Sequence, residues 1–322
     1  MRVITASSYG GPEVLHVDER PAPQLKPDEV LVEVKAAGIN VVDIYARRGD
    51  LTQMFPLPLS LGIDGASVVT AVGDRTTACV GDRVAWEGVP GSYAEVVAAP
   101  SERLIPIPES VSFEKAAAGL AQGMTAQHLS DEAVPIPKDA VVLIHSAGSG
   151  VGRMLTQLAT RRGARVIATV SRGHKAISAS DAGAWRVLVR DEIEDLGAAI
   201  QELIDGEGVD VAFDGTGKTL FEVSVSVLRF NGVFASYGWA GGRIPPIDLY
   251  QQPIGAHLVR YGNTVPTESI DHRRQRALQV MRWIEDKTLD VLVDRTYPLQ
   301  DAALAHRDLE SQQTVGKLLL IP

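Results

Sequence analysis

The residues best suited to chemistry form one short turn, His145-Ser146-Ala147-Gly148-Ser149-Gly150-Val151-Gly152. An apolar run over 141–145 precedes it and reads as a buried strand; a helical pattern over 151–162, ended by Gly163, follows it. Strand, glycine turn and helix in that order let backbone amides approach a pyrophosphate, and the helix start favours its negative charge. On the usual G-x-G-x-x-G spacing, Ala147 and Ser149 stand at the first and middle glycine positions, with Gly148 and Gly150 beside them. Gly148, Ser149, Gly150 and Val151 are the candidate phosphate residues, and which amides make the contacts stays open. The plain alternative is a tight strand-to-helix turn that holds nothing.

A site for NADH usually carries Asp or Glu about 20 residues after the turn, on the ribose hydroxyls. Here the second strand, 165–170, runs into Ser171-Arg172-Gly173-His174-Lys175, without an acid. Arg172 and Lys175 suit a ribose 2′-phosphate, which carries nearly two negative charges. Cations at a helix start are mildly unfavourable on their own, so a phosphate partner explains them better than solvent does. The expected cofactor is NADPH.

Other chemistries lack their residues. Ser149 sits in Ala147-Gly148-Ser149-Gly150-Val151, which fails the G-x-S-x-G pattern of serine hydrolases. The seven histidines, at 16, 128, 145, 174, 257, 272 and 306, show no ligand spacing for zinc, and Cys79 is the single cysteine. No metal is expected. His145 ends an apolar strand and reads as a packed polar residue, and Cys79 has no activating base nearby.

The elements that must position these residues follow from proline and periodicity. At roughly 150 residues per domain, 322 residues suggest two domains. Twelve of the 18 prolines fall before residue 138, six follow residue 244, and 138–244 has none. Within that gap, strands are expected at 141–145, 165–170, 187–189, 209–213 and 233–237, alternating with helices at 151–162, 174–182, 193–204 and 220–228. Continuous apolar strands alternating with helices predict an α/β domain, a doubly wound parallel sheet covered on both faces. The first 120 residues read as a partly open β barrel. Residues 30–36 alternate with period two, and short β segments recur at 66–72, 83–86 and 93–97. Residues 273–285 look helical, and 318–321 look like a closing strand able to pair back onto the first domain.

Composition bounds the partners. A net charge of −9 argues against nucleic acid or an acidic membrane surface. No apolar stretch reaches about 18 residues, and residues 1–10 lack a signal-peptide pattern. A soluble cytoplasmic enzyme is expected.

The chain resembles the medium-chain dehydrogenase/reductase superfamily, and within it the zinc-free quinone oxidoreductases. The resemblance rests on Gly10-Gly11-Pro12-Glu13-Val14-Leu15, on Gly38-Ile39-Asn40-Val41-Val42-Asp43, on Gly81-Asp82-Arg83-Val84 and on Gly91-Ser92-Tyr93-Ala94-Glu95. Gly123-Met124-Thr125-Ala126, Ala182-Gly183-Ala184 and Gly316-Lys317 extend it along the whole chain. Gly62-Ile63-Asp64 stands where the zinc enzymes carry Gly-His-Glu, and Asn40 and Ile63 occupy the positions of a cysteine and a histidine ligand. The structural four-cysteine lobe is missing too. The resemblance therefore implies a zinc-free reductase.

It also implies a GroES-like β-barrel domain from 1–120 with 260–322, and a Rossmann-type NADPH-binding domain over 121–259, with cofactor and substrate between them. By position, Asn40 would meet the nicotinamide side, with Tyr45 beside it as the catalytic pair. Thr125 would lie near the nicotinamide ribose or phosphates, Ser171 by the adenosine ribose, and Arg172 and Lys175 near the 2′-phosphate. Arg190 would lie near the adenine. Gly217, in the D-x-x-G segment Asp214-Gly215-Thr216-Gly217, and Tyr237-Gly238-Trp239 would line the cofactor, as would Lys317. A second tyrosine found in some relatives after R-x-G is missing, since Arg47-Arg48-Gly49 runs into Asp50-Leu51. The implied reaction is hydride transfer from NADPH to a quinone or related enone. An enoyl-thioester or alkenal reductase, with Tyr45 as proton donor, is the alternative on the same fold. A crystallin-like or vesicle-associated binding protein is the alternative of another class. A homodimer through edge strands of the nucleotide domain, 233–237 and 257–261, is implied as well.

Overall fold

The computed structural model describes residues 1–148, 150–262 and 268–322. The chain forms two units, residues 1–121 with 269–322, and residues 122–268. The second unit ends at Glu268, nine residues beyond the expected 259, and Ser269, whose hydroxyl accepts from the His272 amide at 3.1 Å, starts a helix there.

The first unit opens with β1 (Arg2–Ala6), β2 (His16–Glu19), β3 (Glu29–Ile39), helix α1 (Val41–Arg48), β4 (Leu59–Ser60), β5 (Asp64–Val72), β6 (Arg83–Glu87), β7 (Val96–Pro100) and β8 (Ile105–Pro106). β3 is the hub: it pairs antiparallel with both β5 and β7. Its alternation buries Val30, Val32 and Val34 beside Val69, Trp86 and Tyr93. The β segment expected at 93–97 starts instead at Val96. Tyr93 to Glu95 are diverted to β1, with the Ile4 amide on the Tyr93 carbonyl at 2.8 Å and the Glu95 amide on that of Arg2 at 3.1 Å. Helix α2 (Phe113–Gln127) then carries the chain across the unit boundary.

The second unit contains β9 (Val141–His145), α3 (Gly150–Arg161), β10 (Arg165–Val170), α4 (Ala176–Asp181), β11 (Arg186–Val189), α5 (Leu196–Leu203), β12 (Val209–Asp214), α6 (Phe221–Ser226), β13 (Leu228–Ser236) and β14 (His257–Arg260). The strands are parallel, in the order β11-β10-β9-β12-β13-β14. This is the doubly wound order, in which ligands bind outside the carboxyl ends of the strands at the β9–β12 switch in strand order. β9 is buried throughout, as a central parallel strand should be. Helix α5 begins three residues later than the apolar pattern suggests, because the Asp195 carboxylate caps the Ala198 amide at 2.9 Å.

The return segment adds α7 (Ile270–Glu285), β15 (Val293–Pro298), α8 (Ala302–Glu310) and β16 (Lys317–Ile321) to the first unit. β16 pairs antiparallel with β3, Leu318 opposite Ile39 and Leu320 opposite Ala37. This register brings Lys317 to Asn40, the residue after β3. Among the described residues, no helix is long and apolar enough to cross a membrane.

Candidate active site

In the first unit, a polar cluster forms where β3 ends and α1 begins. Asn40 is the N-cap of α1, and its amide donates to the Asp43 carboxylate at 2.8 Å. Its side chain is held from two sides. Nδ2 donates to Asp64 Oδ1 at 2.7 Å, while Oδ1 accepts from the Lys317 ammonium at 2.5 Å. Lys317 also lies 3.3 Å from Asp64 Oδ2, and the side chains of both are 1% exposed. Tyr45 lies farther along α1 and is buried.

A buried polar chain runs behind this cluster. Asp43 accepts from the Gly62 amide at 3.0 Å and from the Tyr93 hydroxyl at 3.1 Å. Burial still dominates and raises its carboxyl to about 6. The Tyr93 hydroxyl lies 3.2 Å from His306 Nε2, and His306 Nδ1 faces Arg47 at 3.4 Å. Arginine only donates, so Nδ1 accepts, Nε2 carries the proton, and the ring is neutral. Burial and the Arg47 charge push His306 down to about 3. Arg47 and Arg48 both bind Glu310, at 2.7 and 2.5 Å. This chain of bonds orders α1 and the loop after β4. It reaches Asn40 only through a backbone amide, so it is no proton path to that side chain.

The second unit supplies the glycine turn. Gly152 packs so closely that a Cβ there would lie 2.5 Å from the Ser146 carbonyl oxygen. That is the role of the third glycine in a dinucleotide turn, close packing of helix on strand. Ser178 Oγ donates to the Gly148 carbonyl at 3.0 Å, and a Cβ on Gly148 would lie 3.0 Å from that of Lys175. The structure therefore brings Lys175, buried at 7% exposure, against Gly148. Gly150 and Val151 open α3, half-buried, and Ser149 lies outside the described residues. Ser171 follows β10, half-buried. Arg172 is half-exposed and pairs with Asp191 at 3.3 Å. Arg190 follows β11; its Nε is buried without a hydrogen-bond partner among the described residues, and Asp191 and Asp214 supply the nearby negative charge.

Two loops meet at the carboxyl ends of β12 and β13. Asp214 accepts from the Thr216 and Gly217 amides at 2.6 and 2.9 Å. Gly217 has φ +84°, and a Cβ there would strike the Gly242 carbonyl at 2.4 Å. The Tyr237 amide donates to the Asp214 carbonyl at 2.9 Å, and Gly238 lies against Gly215. Trp239 is flanked by the guanidinium groups of Arg243 and Arg260, 5.5 and 5.7 Å from its ring centre. Gly217, Tyr237, Gly238 and Trp239 are thus gathered in one place. Thr125 is half-buried near the end of α2.

His145 is structural. Ser224 Oγ gives its proton to the Leu220 carbonyl at 2.6 Å, so it accepts from His145 Nε2 at 2.9 Å, and Nδ1 accepts from Thr169 at 2.7 Å. Burial lowers this ring to about 3. Among the described residues, no group of three or more His, Cys, Asp or Glu could hold a metal ion. Three features fit the second unit to a dinucleotide: the tight Gly152 packing, the buried basic residue on the turn, and the unanswered Arg190 donor.

Residues 26–109 match the alcohol dehydrogenase GroES-like domain family, and residues 150–283 match the zinc-binding dehydrogenase family. The chain is 32% identical to a quinone oxidoreductase of Pseudomonas aeruginosa, over 99% of each chain. Among solved structures it is similar to the Escherichia coli quinone oxidoreductase complexed with NADPH, with a TM-score of 0.95, 33% identity and full coverage of both chains. It is similar also to a mycobacterial protein complexed with NADPH, with a TM-score of 0.94, 36% identity and full coverage of both. A GroES-like unit joined to a Rossmann-type unit defines a medium-chain dehydrogenase/reductase. Within that superfamily, the chain belongs to the quinone oxidoreductase family.

The sequence names Asn40 and Lys317 as separate cofactor residues but not their contact, Asp64 and Tyr93 stand out only through resemblance segments, and His306 carries no signal. The partners of Tyr93 lie 50 and 213 residues away from it in the chain, beyond any local pattern.

Proposed function

We propose that this chain is an NADPH-dependent, zinc-independent quinone oxidoreductase, in which bound NADPH supplies the hydride that reduces a quinone or a related electron-poor enone. The observation that carries the reading is Lys175, buried against Gly148, with Arg172 beside it at the end of the second strand, where an NADH site would hold an acid. Complexes of the Escherichia coli and mycobacterial relatives with NADPH support it.

In this reading Gly148, Ser149, Gly150 and Val151 hold the pyrophosphate. Ser171, Arg172 and Lys175 hold the phosphorylated ribose, and Arg190 meets the adenine end. Thr125, Gly217, Tyr237, Gly238 and Trp239 serve the nicotinamide end, and Asn40 is the first unit's cofactor residue. These residues bind and orient; rate comes from position rather than from acid catalysis. A quinone suits such a site, because its reduced oxygens take protons from water. Tyr45 lines the acceptor side.

Zinc-independence rests on the donor set. Asn40 and Ile63 replace the ligands that the resemblance implies, and the Lys317 ammonium 2.5 Å from Asn40 Oδ1 would repel a dication. We also propose a cytoplasmic homodimer joined along β14.

The test is an NADPH-oxidation panel of ortho-quinones, para-quinones, alkenals and enoyl thioesters, with metal analysis of the same protein. Quinone preference and less than 0.1 zinc per chain, as a working threshold of order one-tenth occupancy, are the expected results. Preference for thioesters, or stoichiometric zinc, would overturn the assignment.

A further inference from the structure

We infer that Asp64 and Lys317 are positioning residues that clamp the Asn40 carboxamide in one orientation, so that Asn40 meets the cofactor as a hydrogen-bond acceptor. The inference rests on the reading of Asn40 as a cofactor residue.

The carboxamide has two ends, and each is assigned by its partner. A carboxylate only accepts and an ammonium only donates. Asp64 Oδ1, 2.7 Å from Nδ2, requires the NH₂ end. The Lys317 ammonium, 2.5 Å from Oδ1, requires the carbonyl end. A flipped amide would set its oxygen against a carboxylate and its NH₂ against an ammonium. The second Nδ2 proton points to the Gly38 carbonyl at 3.4 Å. What remains is Oδ1 of a half-buried side chain, which the capping box of α1 also turns toward the Asp43 amide. Asn40 thus accepts from a donor on its ligand, an amide N–H or a ribose hydroxyl. It is not available to donate to a quinone carbonyl.

The clamp is built in at several points. The pairing of β16 with β3 sets Lys317 beside Asn40. Gly38 makes room, since a Cβ there would lie 2.5 Å from Asp64 Oδ1. The 1% exposure of both charged side chains leaves little water to compete for their bonds. Lys317 therefore contributes to cofactor binding through Asn40.

The test is a binding cycle read by NADPH fluorescence, with thermal melting as the folding control. Wild type, Asn40→Ala, Lys317→Met and Asn40→Ala/Lys317→Met are compared. Lys317→Met is expected to weaken NADPH binding about tenfold in the wild type and less than about twofold in the Asn40→Ala background. Because Lys317→Met strands a buried carboxylate, Asp64→Asn/Lys317→Met repeats the comparison without a buried charge. A charge-swapped pair supplies the rescue. Asn40→Asp sets two carboxylates together and loses binding. Asn40→Asp/Asp64→Asn restores the donor and acceptor pattern and recovers binding to within about threefold of wild type. Equal losses with and without Asn40, or failure of the folded swap to recover, would overturn the clamp. Wild type that binds NADPH but reduces no quinone would overturn the functional reading and leave the clamp standing. Wild type that does not bind NADPH would overturn both.

Discussion

His145 and His306 are neutral rings held at about 3, and Asp43 is a carboxyl held at about 6. Their signs oppose. Below about 6.5 the unfolded chain protonates both histidines while the native rings stay neutral, so acid favours unfolding down to about 3. Asp43 works the other way. Its native form keeps a proton between about 3.8 and 6 that the unfolded form has lost, so its contribution is full below 3.8 and is lost as pH rises through 6. Glu87 and Asp214, whose carboxyls burial also raises, act on the same side as Asp43, so the wild-type profile is a balance of the two sets. Replacing one ring isolates its share: relative to wild type, His145→Asn should gain stability by about 1.4 kcal/mol per pH unit as the pH falls from 6 to 4. Thermal melts of both proteins across that range check this, and a difference independent of pH would refute the neutral ring. At the same scale, Lys175→Ala should raise the NADPH dissociation constant about tenfold or more, while NADH binding changes less than about twofold. Isothermal titration decides it; an unchanged NADPH constant would make Lys175 a packing residue only. Lys317→Met should cost about 3–5 kcal/mol of stability, and Asp64→Asn/Lys317→Met clearly less, because the double variant leaves no buried charge unpaired.

Elements were legible where one strand's own residues decide its fate. β9, β10 and β12 are continuous apolar runs, and their parallel pairing could be read from the alternation with helices. α1, α2 and α8 escaped notice, as did β1, β2 and β15. β2 is mostly exposed, β15 has one buried residue, Tyr297, and α1 gains its order from Asp43, Arg47 and Glu310 rather than from its own periodicity. The candidate site divides the same way. The turn and the Arg172/Lys175 pair are local in sequence and were readable. The Asn40 clamp joins positions 253 and 277 residues apart, which only the β16–β3 register brings together. The turn offers a test at this scale. Gly152→Ala sets a methyl 2.5 Å from the Ser146 carbonyl, so α3 must move away from β9. A loss of about 1–3 kcal/mol is expected, with weakened NADPH binding in the protein that still folds. Gly206→Asn, at φ +75° with nothing near its Cβ position, is the matched control and should bind NADPH normally. Equal binding by both variants would show that the helix–strand contact does not shape the site.

At the scale of the whole molecule, the second unit ends in an open edge. β14 pairs with β13 on one side and, among the described residues, with no strand on the other. An edge of this kind presents main-chain donors and acceptors ready for another strand. Large apolar side chains stand exposed near it in the chain: Phe230, Leu249, Tyr250 and Ile254. Phe230 packs on Gly255, the residue after Ile254 in the chain. A net charge of −9 keeps separate chains apart at long range, so association needs a short-range apolar contact such as this one. A two-fold pairing of β14 with its copy would satisfy the edge and cover the apolar residues at once. Light scattering at micromolar concentration should therefore give twice the chain mass of 34.4 kDa. Tyr250→Asp/Ile254→Asp should shift it to the monomer with an unchanged far-ultraviolet spectrum, because neither side chain belongs to the buried core. Wild type at the monomer mass, or a variant that stays dimeric, would rule out this edge as the interface.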